Sequence, residues 1–495
     1  MIKAIMAKLF SKIIHQKNKK WINNPLEFQR KTFNNLIKKA TYTDFGKDHN
    51  FHKIKDYSDF QAEVPIRDYE GLRPYVDKML AGRESVLWPG KPLYFAKTSG
   101  TTSGVKYIPI SKDSMPTHIK AARDSLLNYI YKTGKANFVN GKQIFLQGSP
   151  ILEKTKEGIT YGRLSGIVAH YVPKYLQKSR MPSWENNCID DWETKVNAIV
   201  EETFSENMTL IAGIPSWVQM YFEKLIEKSN LPVGEKFKNF SLFVYGGVNY
   251  EPYRPMFEKL IGRKVDSIEL FPASEGFFAY QDQPMERGLL LLVNNGIFYE
   301  FIKAEEFWED NPKRYTLGQV ELDVNYVLIL STTAGLWGYN IGDTVKFISL
   351  LPYRLIVTGR IKHYISAFGE HVIGKEVEIA MEEACKYFAI QIKEFTVAPQ
   401  INPQVGLPYH EWFVEFEKIP DKIDQFAALL DQTMQNQNIY YQDLILGKVL
   451  RTLVVTPVVK GGFQTFMKNI GKLGGQNKVP RLSNDRKIAD QLPIR

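Results

Sequence analysis

The stretch Met208-Thr209-Leu210-Ile211-Ala212-Gly213-Ile214-Pro215-Ser216-Trp217 carries the reading of the fold. Its first five residues carry no charge and end at a glycine, which reads as a strand buried on both faces. Pro215 suits the first turn of a helix, and Trp217, Tyr221 and Leu225 follow at helical spacing. The same grammar repeats outward in both directions. Residues 144–146 form a short apolar strand ending at Gly148, and residues 242–245 form another ending at Gly246-Gly247. A helix runs from about Glu251 and stops at Gly262, and residues 267–271 form a fourth strand. Strand, glycine turn, helix, strand is the pattern of a largely parallel sheet flanked by helices.

Beyond residue 289 the grammar changes. Residues 289–293, the turn Asn294-Asn295-Gly296 and residues 297–302 read as a β-hairpin. Residues 319–323, 326–331, 345–348 and 354–357 read as further strands of a β-rich, antiparallel section. After Gly359-Arg360 come a helix over 375–388, strands over 395–398 and 412–416, a helix from Asp421 and a strand over 452–455. That order, α-β-β-α-β, reads as a small α+β domain. Residues 1 to about 85 read as helices and loops. The expected fold class is α/β: a large first domain with mixed and parallel sheets and a β-rich section, and a small α+β second domain. The expected boundaries are 1–355 and 356–495, with a hinge near 358–363.

Composition narrows the function. Of 495 residues, 44% are hydrophobic and 24% charged, which excludes a mostly disordered chain. Lysine and arginine number 64 against 54 acidic residues, a net charge of +10. Such a balance suits nucleic acid, an anionic membrane surface, a negatively charged small substrate, or a lysine-rich solvated surface. Basic residues are scattered along the chain with no nucleic-acid recognition motif, so a non-enzymatic polyanion-binding protein is the second class of reading. Cys188 and Cys385 stand far apart without a CxxC pair, which fits a reduced compartment. The eight histidines show no ligand spacing.

At the start of the chain, Ile2, Ile5, Met6, Leu9, Phe10 and Ile13 make one stripe of an amphipathic helix, with lysines throughout. Lysines interrupting the apolar residues are unlike a signal peptide. The expected role of the stripe is packing on its own domain, ahead of contact with a membrane surface. No stretch approaches the ~20 apolar residues of a membrane span. A cytoplasmic location without stable membrane insertion is expected.

Five segments carry chemistry. Lys97-Thr98-Ser99-Gly100-Thr101-Thr102-Ser103-Gly104-Val105-Lys106 follows a short strand. Its glycines let backbone N–H groups converge on an anion, its hydroxyls add donors, and Lys106 adds a charge suited to phosphate. It is not a Walker A loop, because Gly104 is not followed by Lys-Ser/Thr. Phe271-Pro272-Ala273-Ser274-Glu275-Gly276 sits at the C-terminal end of a strand, where ligands bind in open α/β sheets. There a ring can stack, a hydroxyl can donate and a carboxylate can hold Mg²⁺. The third, Tyr339-Asn340-Ile341-Gly342-Asp343, places a carboxylate at a turn where it can accept from ribose hydroxyls. The fourth, Thr358-Gly359-Arg360-Ile361-Lys362, lies where one domain pattern gives way to the next. The fifth is the basic, glycine-rich 472–481, holding Lys478.

In order and spacing these segments resemble the acyl-adenylate-forming superfamily, and within it the auxin-responsive acyl acid amido synthetases, from about residue 57 to 481. A bacterial-type member is expected. The resemblance implies that Ser99, Gly100, Thr101, Thr102, Gly104 and Lys106 hold the ATP phosphates, and that Gly246 and Gly247 lie against adenine. It makes Phe271 the ring beside adenine, Ser274 a hydroxyl near phosphate, Glu275 the Mg²⁺ carboxylate and Asp343 the ribose acceptor. Arg360 becomes a ribose or phosphate contact, Lys362 the hinge position and Lys478 the late catalytic lysine of a mobile C-terminal domain. The plant pattern has tyrosine at Phe271, serine at Ala273 and arginine at Asn340, so this chain departs at three positions. The implied reaction is activation of a small carboxylic acid as acyl-AMP, with ATP and Mg²⁺, then transfer to an amino acid. An acid:CoA ligase shares the first half. The acid pocket is expected between about 115 and 171, with Arg123 or His170 as carboxylate contacts.

Overall fold

The computed structural model describes all residues except 1, 100–104, 173–176, 248–249, 285, 362–363, 366–369, 371, 402, 447–448, 474–477 and 484. The chain packs as two compact units. The first comprises Met1–Gly247 and Lys264–Ile356, and the second Val248–Arg263 and Val357–Arg495.

In the first unit, β1 (Tyr94–Ser99) and β2 (Val105–Ile110) pair antiparallel. β3 (Lys142–Phe145) belongs to the large sheet, while β4 (Glu153–Lys154) and β5 (Thr160–Gly162) complete a small sheet of order β2-β1-β5-β4. β6 (Arg180–Met181), β7 (Met208–Ala212), β8 (Leu242–Gly246) and β9 (Asp266–Ala273) join β3 in parallel, in the order β6-β3-β7-β8-β9. β10 (Gly276–Tyr280), β11 (Leu289–Leu291), β12 (Ile297–Lys303), β13 (Tyr315–Thr316), β14 (Asn325–Thr332), β15 (Tyr339–Leu350) and β16 (Tyr353–Arg360) continue the same sheet. Their order is β9-β10-β11-β16-β15-β14-β12-β13, built from antiparallel pairs. Every residue of β7 is buried, as a strand covered on both faces requires. The helix Pro215–Ser229 follows with proline in its first turn.

The β-rich half departs from expectation in three places. Residues 289–302 do not form a hairpin: β11 pairs with β10 and β16, and β12 pairs with β13 and β14. The section curls instead. Ile297 at the start of β12 lies against Gly276 of β10, where an added Cβ would come within 2.5 Å of its side chain. Gln29, on the helix Pro25–Ala40, pins this crossing. Its amide nitrogen donates to the carbonyls of Val293 (3.0 Å) and Ile297 (2.9 Å), and its oxygen accepts from Tyr299 N–H (2.9 Å). Residues 319–323 are not a strand. A capping box between Thr316 and Gln319 opens a 3₁₀ turn, and Asp323 has φ of 61°. Third, Tyr339–Asp343 is not a strand-entrance turn but part of the 12-residue β15.

The first helix, Ile2–Asn23, forms as expected but buries the opposite face. Ala4, Ser11, Ile14, Asn18 and Trp21 are buried, while the apolar stripe faces solvent.

In the second unit β17 (Tyr364–Ile365) and β18 (Val372–Ile373) form a small ribbon. β19 (Ile392–Gln400), β20 (Tyr409–Phe416) and β21 (Val454–Pro457) form a three-stranded sheet, antiparallel then parallel. The helices Gly374–Phe388 and Ile423–Gln437 supply Val377, Met381, Phe426 and Leu430 to the core against Trp412 and Val414. The helix Gly462–Asn469 packs Phe463 and Phe466 on Phe413 and Ala398. Val248–Arg263 is held in this unit by Tyr253, whose hydroxyl donates to Glu394 (3.0 Å) and accepts from Arg481. The Arg481 guanidinium also meets Glu394 and, at 3.6 Å, Glu378.

Candidate active site

The serine- and threonine-rich loop joins two antiparallel strands rather than a strand and a helix. Gly100, Thr101, Thr102 and Gly104 lie outside the described residues. Ser99 closes β1 opposite Val105, and Lys106 stands in β2 opposite Thr98. The half-buried Lys106 holds its ammonium 5.6 Å from the Tyr69 ring centroid. The Tyr69 hydroxyl in turn accepts from Tyr107 N–H at 2.9 Å. Sequence reasoning missed Tyr69, since nothing local links a tyrosine on the helix Tyr69–Leu80 to a strand 37 residues on.

A second group gathers at the C-terminal ends of β8 and β9. Gly246 pairs with Leu270, and an added Cβ would lie 2.5 Å from the Leu270 carbonyl oxygen, so only glycine fits. Gly247 is exposed with φ of 86°. The Phe271 ring is buried edge-to-face on Phe278, with centroids 5.0 Å apart. Ala273 pairs with Gly276, so buried Ser274 and half-buried Glu275 form the two-residue turn of the β9–β10 hairpin. The sheet register thus brings Gly246, Phe271, Ser274 and Glu275 to one end of the sheet.

Asp343 stands on a bulge in β15. Asn340 pairs with Ile329 and Thr344 with Val327, so Ile341, Gly342 and Asp343 oppose Leu328 alone. Gly342 has φ of 85°, a left-handed conformation that favours glycine. Its N–H donates to Asn340 Oδ1 at 2.8 Å. The bulge re-aims the half-buried Asp343. Arg67 clamps the approach, with its N–H on the Gly338 carbonyl (2.9 Å) and its own carbonyl on Asn340 N–H (2.8 Å). Asn340 therefore acts as an acceptor, a role arginine has no atom to fill.

β16 begins in the first unit and runs past its end at Ile356, so that Arg360, which closes the strand and is exposed after Gly359 with φ of 143°, belongs to the second. Lys362 lies outside the described residues, and Lys478 is exposed. Among the described residues no group of three or more His, Cys, Asp or Glu is placed to hold a metal. Glu275 offers a single carboxylate, which matches Mg²⁺ carried mainly by phosphate and water oxygens rather than by a protein cage.

The two residues expected to meet the acid's carboxylate have other partners. Arg123 donates twice to Asp124 Oδ1 (2.9 and 2.7 Å) and lies over the Phe10 ring. His170 Nε2 is 3.1 Å from the Pro150 carbonyl, and its ring packs edge-on to Trp184. In the first turn of the helix Met115–Thr133, His118 is buried, and its Nδ1 finds no hydrogen-bond partner among the described residues. Burial pushes its pKa down to about 4, so it is neutral at pH 7.

The fold has counterparts among solved structures. It superposes on 2-hydroxyisobutyryl-CoA ligase in its postadenylation state with a TM-score of 0.55 at 12% identity, covering 94% of this chain and 88% of that one. On the GH3.15 acyl acid amido synthetase the TM-score rises to 0.79 at 14% identity, covering 96% and 95%. The chain belongs to the GH3 family: its N-terminal domain model matches residues 14–191, its central domain 290–360 and its C-terminal domain 375–487. A curated relative, the jasmonoyl–L-amino acid synthetase JAR4 of Nicotiana attenuata, is 21% identical over 92% of this chain and 90% of its own length.

Proposed function

We propose that the protein is an ATP-dependent acyl acid amido synthetase. It activates a carboxylic acid as acyl-AMP, releasing pyrophosphate, and transfers the acyl group to the amine of an amino acid. The observation that carries this reading is Asp343, presented on a glycine-dependent bulge in a chain matched by all three GH3 family domains.

In the first half-reaction a carboxylate oxygen attacks the α-phosphorus in line and pyrophosphate leaves. The protein contributes position and charge rather than covalent chemistry. Lys106 and the 100–104 loop hold the phosphates; Asp343 accepts from the ribose hydroxyls; Gly246 and Gly247 let adenine lie against backbone. Glu275 would hold Mg²⁺, which would supply positive charge at the phosphates. In the second half-reaction the amine attacks the acyl carbonyl and AMP leaves. Arg360 and Lys478 serve the reaction from the second unit, which turns at Gly359 between the two halves. The cysteines are both free thiols, which suits a cytoplasmic setting.

The test is carboxylate-dependent exchange of pyrophosphate into ATP, followed by amide formation when an amino acid is added. Lys106→Ala and Asp343→Ala should each lower exchange about 100-fold, the scale of losing one preorganised charge contact. Unchanged exchange in either variant contradicts the site. Thioester formation with CoA, and no amide with any amino acid, selects the acid:CoA ligase.

A further inference from the structure

The first helix is amphipathic the wrong way round for burial. At about 100° per residue, Ala4, Ser11, Ile14 and Asn18 fall on one side and Ile2, Ile5, Met6, Leu9, Phe10 and Ile13 on the other. The former side is packed: Ala4 and Ile14 join Leu127, Tyr129 and Ile130 of the helix Met115–Thr133 in one cluster, and Ser11, Asn18 and Trp21 are buried beside them. The side with six large apolar residues is exposed: Ile2 to 75%, Met6 to 64% and Ile13 to 63%. His15 stacked on Tyr131 at 3.7 Å fixes this rotation of the helix.

The charges around the stripe define what covers it. The helix carries Lys3, Lys8, Lys12, Lys17, Lys19 and Lys20, all exposed, and no acidic residue. On the helical wheel Lys8, Lys12 and Lys19 border one edge of the stripe, Lys3 and Lys17 border the other, and Lys20 continues it. Arg123 of the neighbouring helix, paired with Asp124, lies over the Phe10 ring. Among the described residues none of the six lysines forms an ion pair within the chain.

We propose that this helix docks the protein on an anionic lipid bilayer, with the stripe in the acyl-chain boundary and the lysines on the headgroups. An apolar strip flanked by cations is complementary to a plane that is apolar inside and negative at its border. Lysine stems are long enough to follow the apolar surface and lift the ammonium to the headgroups. The helix is already folded and anchored, so binding carries no cost of ordering it. A second copy of the chain is a poor occupant, because stripe-to-stripe packing sets two lysine collars together with no carboxylate between them. The helix is too polar to span: no helix among the described residues is long and apolar enough to cross a membrane. The apolar stripe also precedes residue 14, where the match to the family begins.

Co-sedimentation of the full chain with vesicles tests this, together with light scattering of the protein alone. Vesicles of phosphatidylcholine with phosphatidylglycerol should pellet the protein, and phosphatidylcholine alone should not. Added salt should weaken binding by screening the lysines. The double substitution Leu9→Glu/Ile13→Glu should lower partitioning at least about 30-fold. Lys12→Gln/Lys17→Gln should lower it roughly 30-fold, about fivefold for each lysine at the surface. Both variants alter exposed side chains, so an unchanged melting midpoint by circular dichroism accompanies the expected result. Three outcomes overturn the proposal: no pelleting with anionic vesicles, binding that both variants retain, or a dimer in solution that Leu9→Glu/Ile13→Glu dissociates. Binding of ATP and pyrophosphate exchange play no part in the readout, so this inference and the proposed activity stand or fall separately.

Discussion

At Asn340 the chain differs from the arginine of the plant pattern, and the structure gives the difference a purpose. Its side-chain oxygen accepts from Gly342 N–H and so supports the bulge that carries Asp343. The sequence shows Gly342 and Asp343 side by side, but a bulge depends on how many residues the partner strand offers, and that is not local. Replacing Gly342 by alanine places a Cβ at φ of 85°, a cost of roughly 1–2 kcal/mol. We expect Gly342→Ala to raise the KM for ATP about tenfold in pyrophosphate exchange while the melting temperature falls only a few degrees. His118 belongs to the same scale. With its pKa near 4 in the folded chain and near 6.5 unfolded, the unfolded chain binds the extra proton between those values. Stability is therefore complete above pH 6.5 and falls as pH drops toward 4, by up to about 3 kcal/mol from this group. His118→Leu should flatten that limb in urea unfolding measured from pH 7 to 4; an unaltered slope contradicts the neutral buried histidine.

At the level of elements, legibility follows how local the cause is. β7 and the helix Pro215–Ser229 match their sequence reading, because a continuous apolar run and a first-turn proline act within a few residues. The turn Asn294-Asn295-Gly296 has hairpin composition and Gly296 has φ of 72°, yet β11 and β12 choose other partners. The curl of the sheet and Gln29 decide that pairing, from a helix more than 260 residues away. Gln29→Ala leaves two carbonyls and one N–H buried without that amide, so a loss of about 3 kcal/mol is expected in denaturant unfolding. A loss under about 1 kcal/mol contradicts the strut. The first helix teaches the converse lesson. Periodicity locates an apolar face, but nothing in the period says whether protein or another phase covers it.

For the whole molecule, the +10 balance is spread along the chain, and only a few of its 64 basic residues enter the two proposals. The proposed activity would use Lys106 and Arg360 on one polyanion, ATP, and the proposed docking would use the lysines of the first helix on an anionic surface. The two-unit organisation is legible in the shift from a βαβ pattern to α-β-β-α-β. That Val248–Arg263 packs with the second unit is not, because Tyr253, Glu394 and Arg481 meet only in the folded chain. Gly359, with φ of 143°, stands three residues past Ile356, where the first unit ends. If the second unit turns there between half-reactions, Gly359→Ala should slow amide formation at least tenfold while pyrophosphate exchange changes less than threefold. Equal loss in both contradicts the pivot.

An acyl acid amido synthetase makes acyl-adenylates and passes them to amino acids. The most direct test of that activity is to screen carboxylic acids with purified protein, ATP and Mg²⁺ for exchange of labelled pyrophosphate into ATP, and then to add amino acids to each active acid. Exchange is expected with at least one acid, abolished in Asp343→Ala, together with an amide product by mass spectrometry. Absence of acid-dependent exchange across the screen, or exchange that never yields an amide, contradicts the proposed activity.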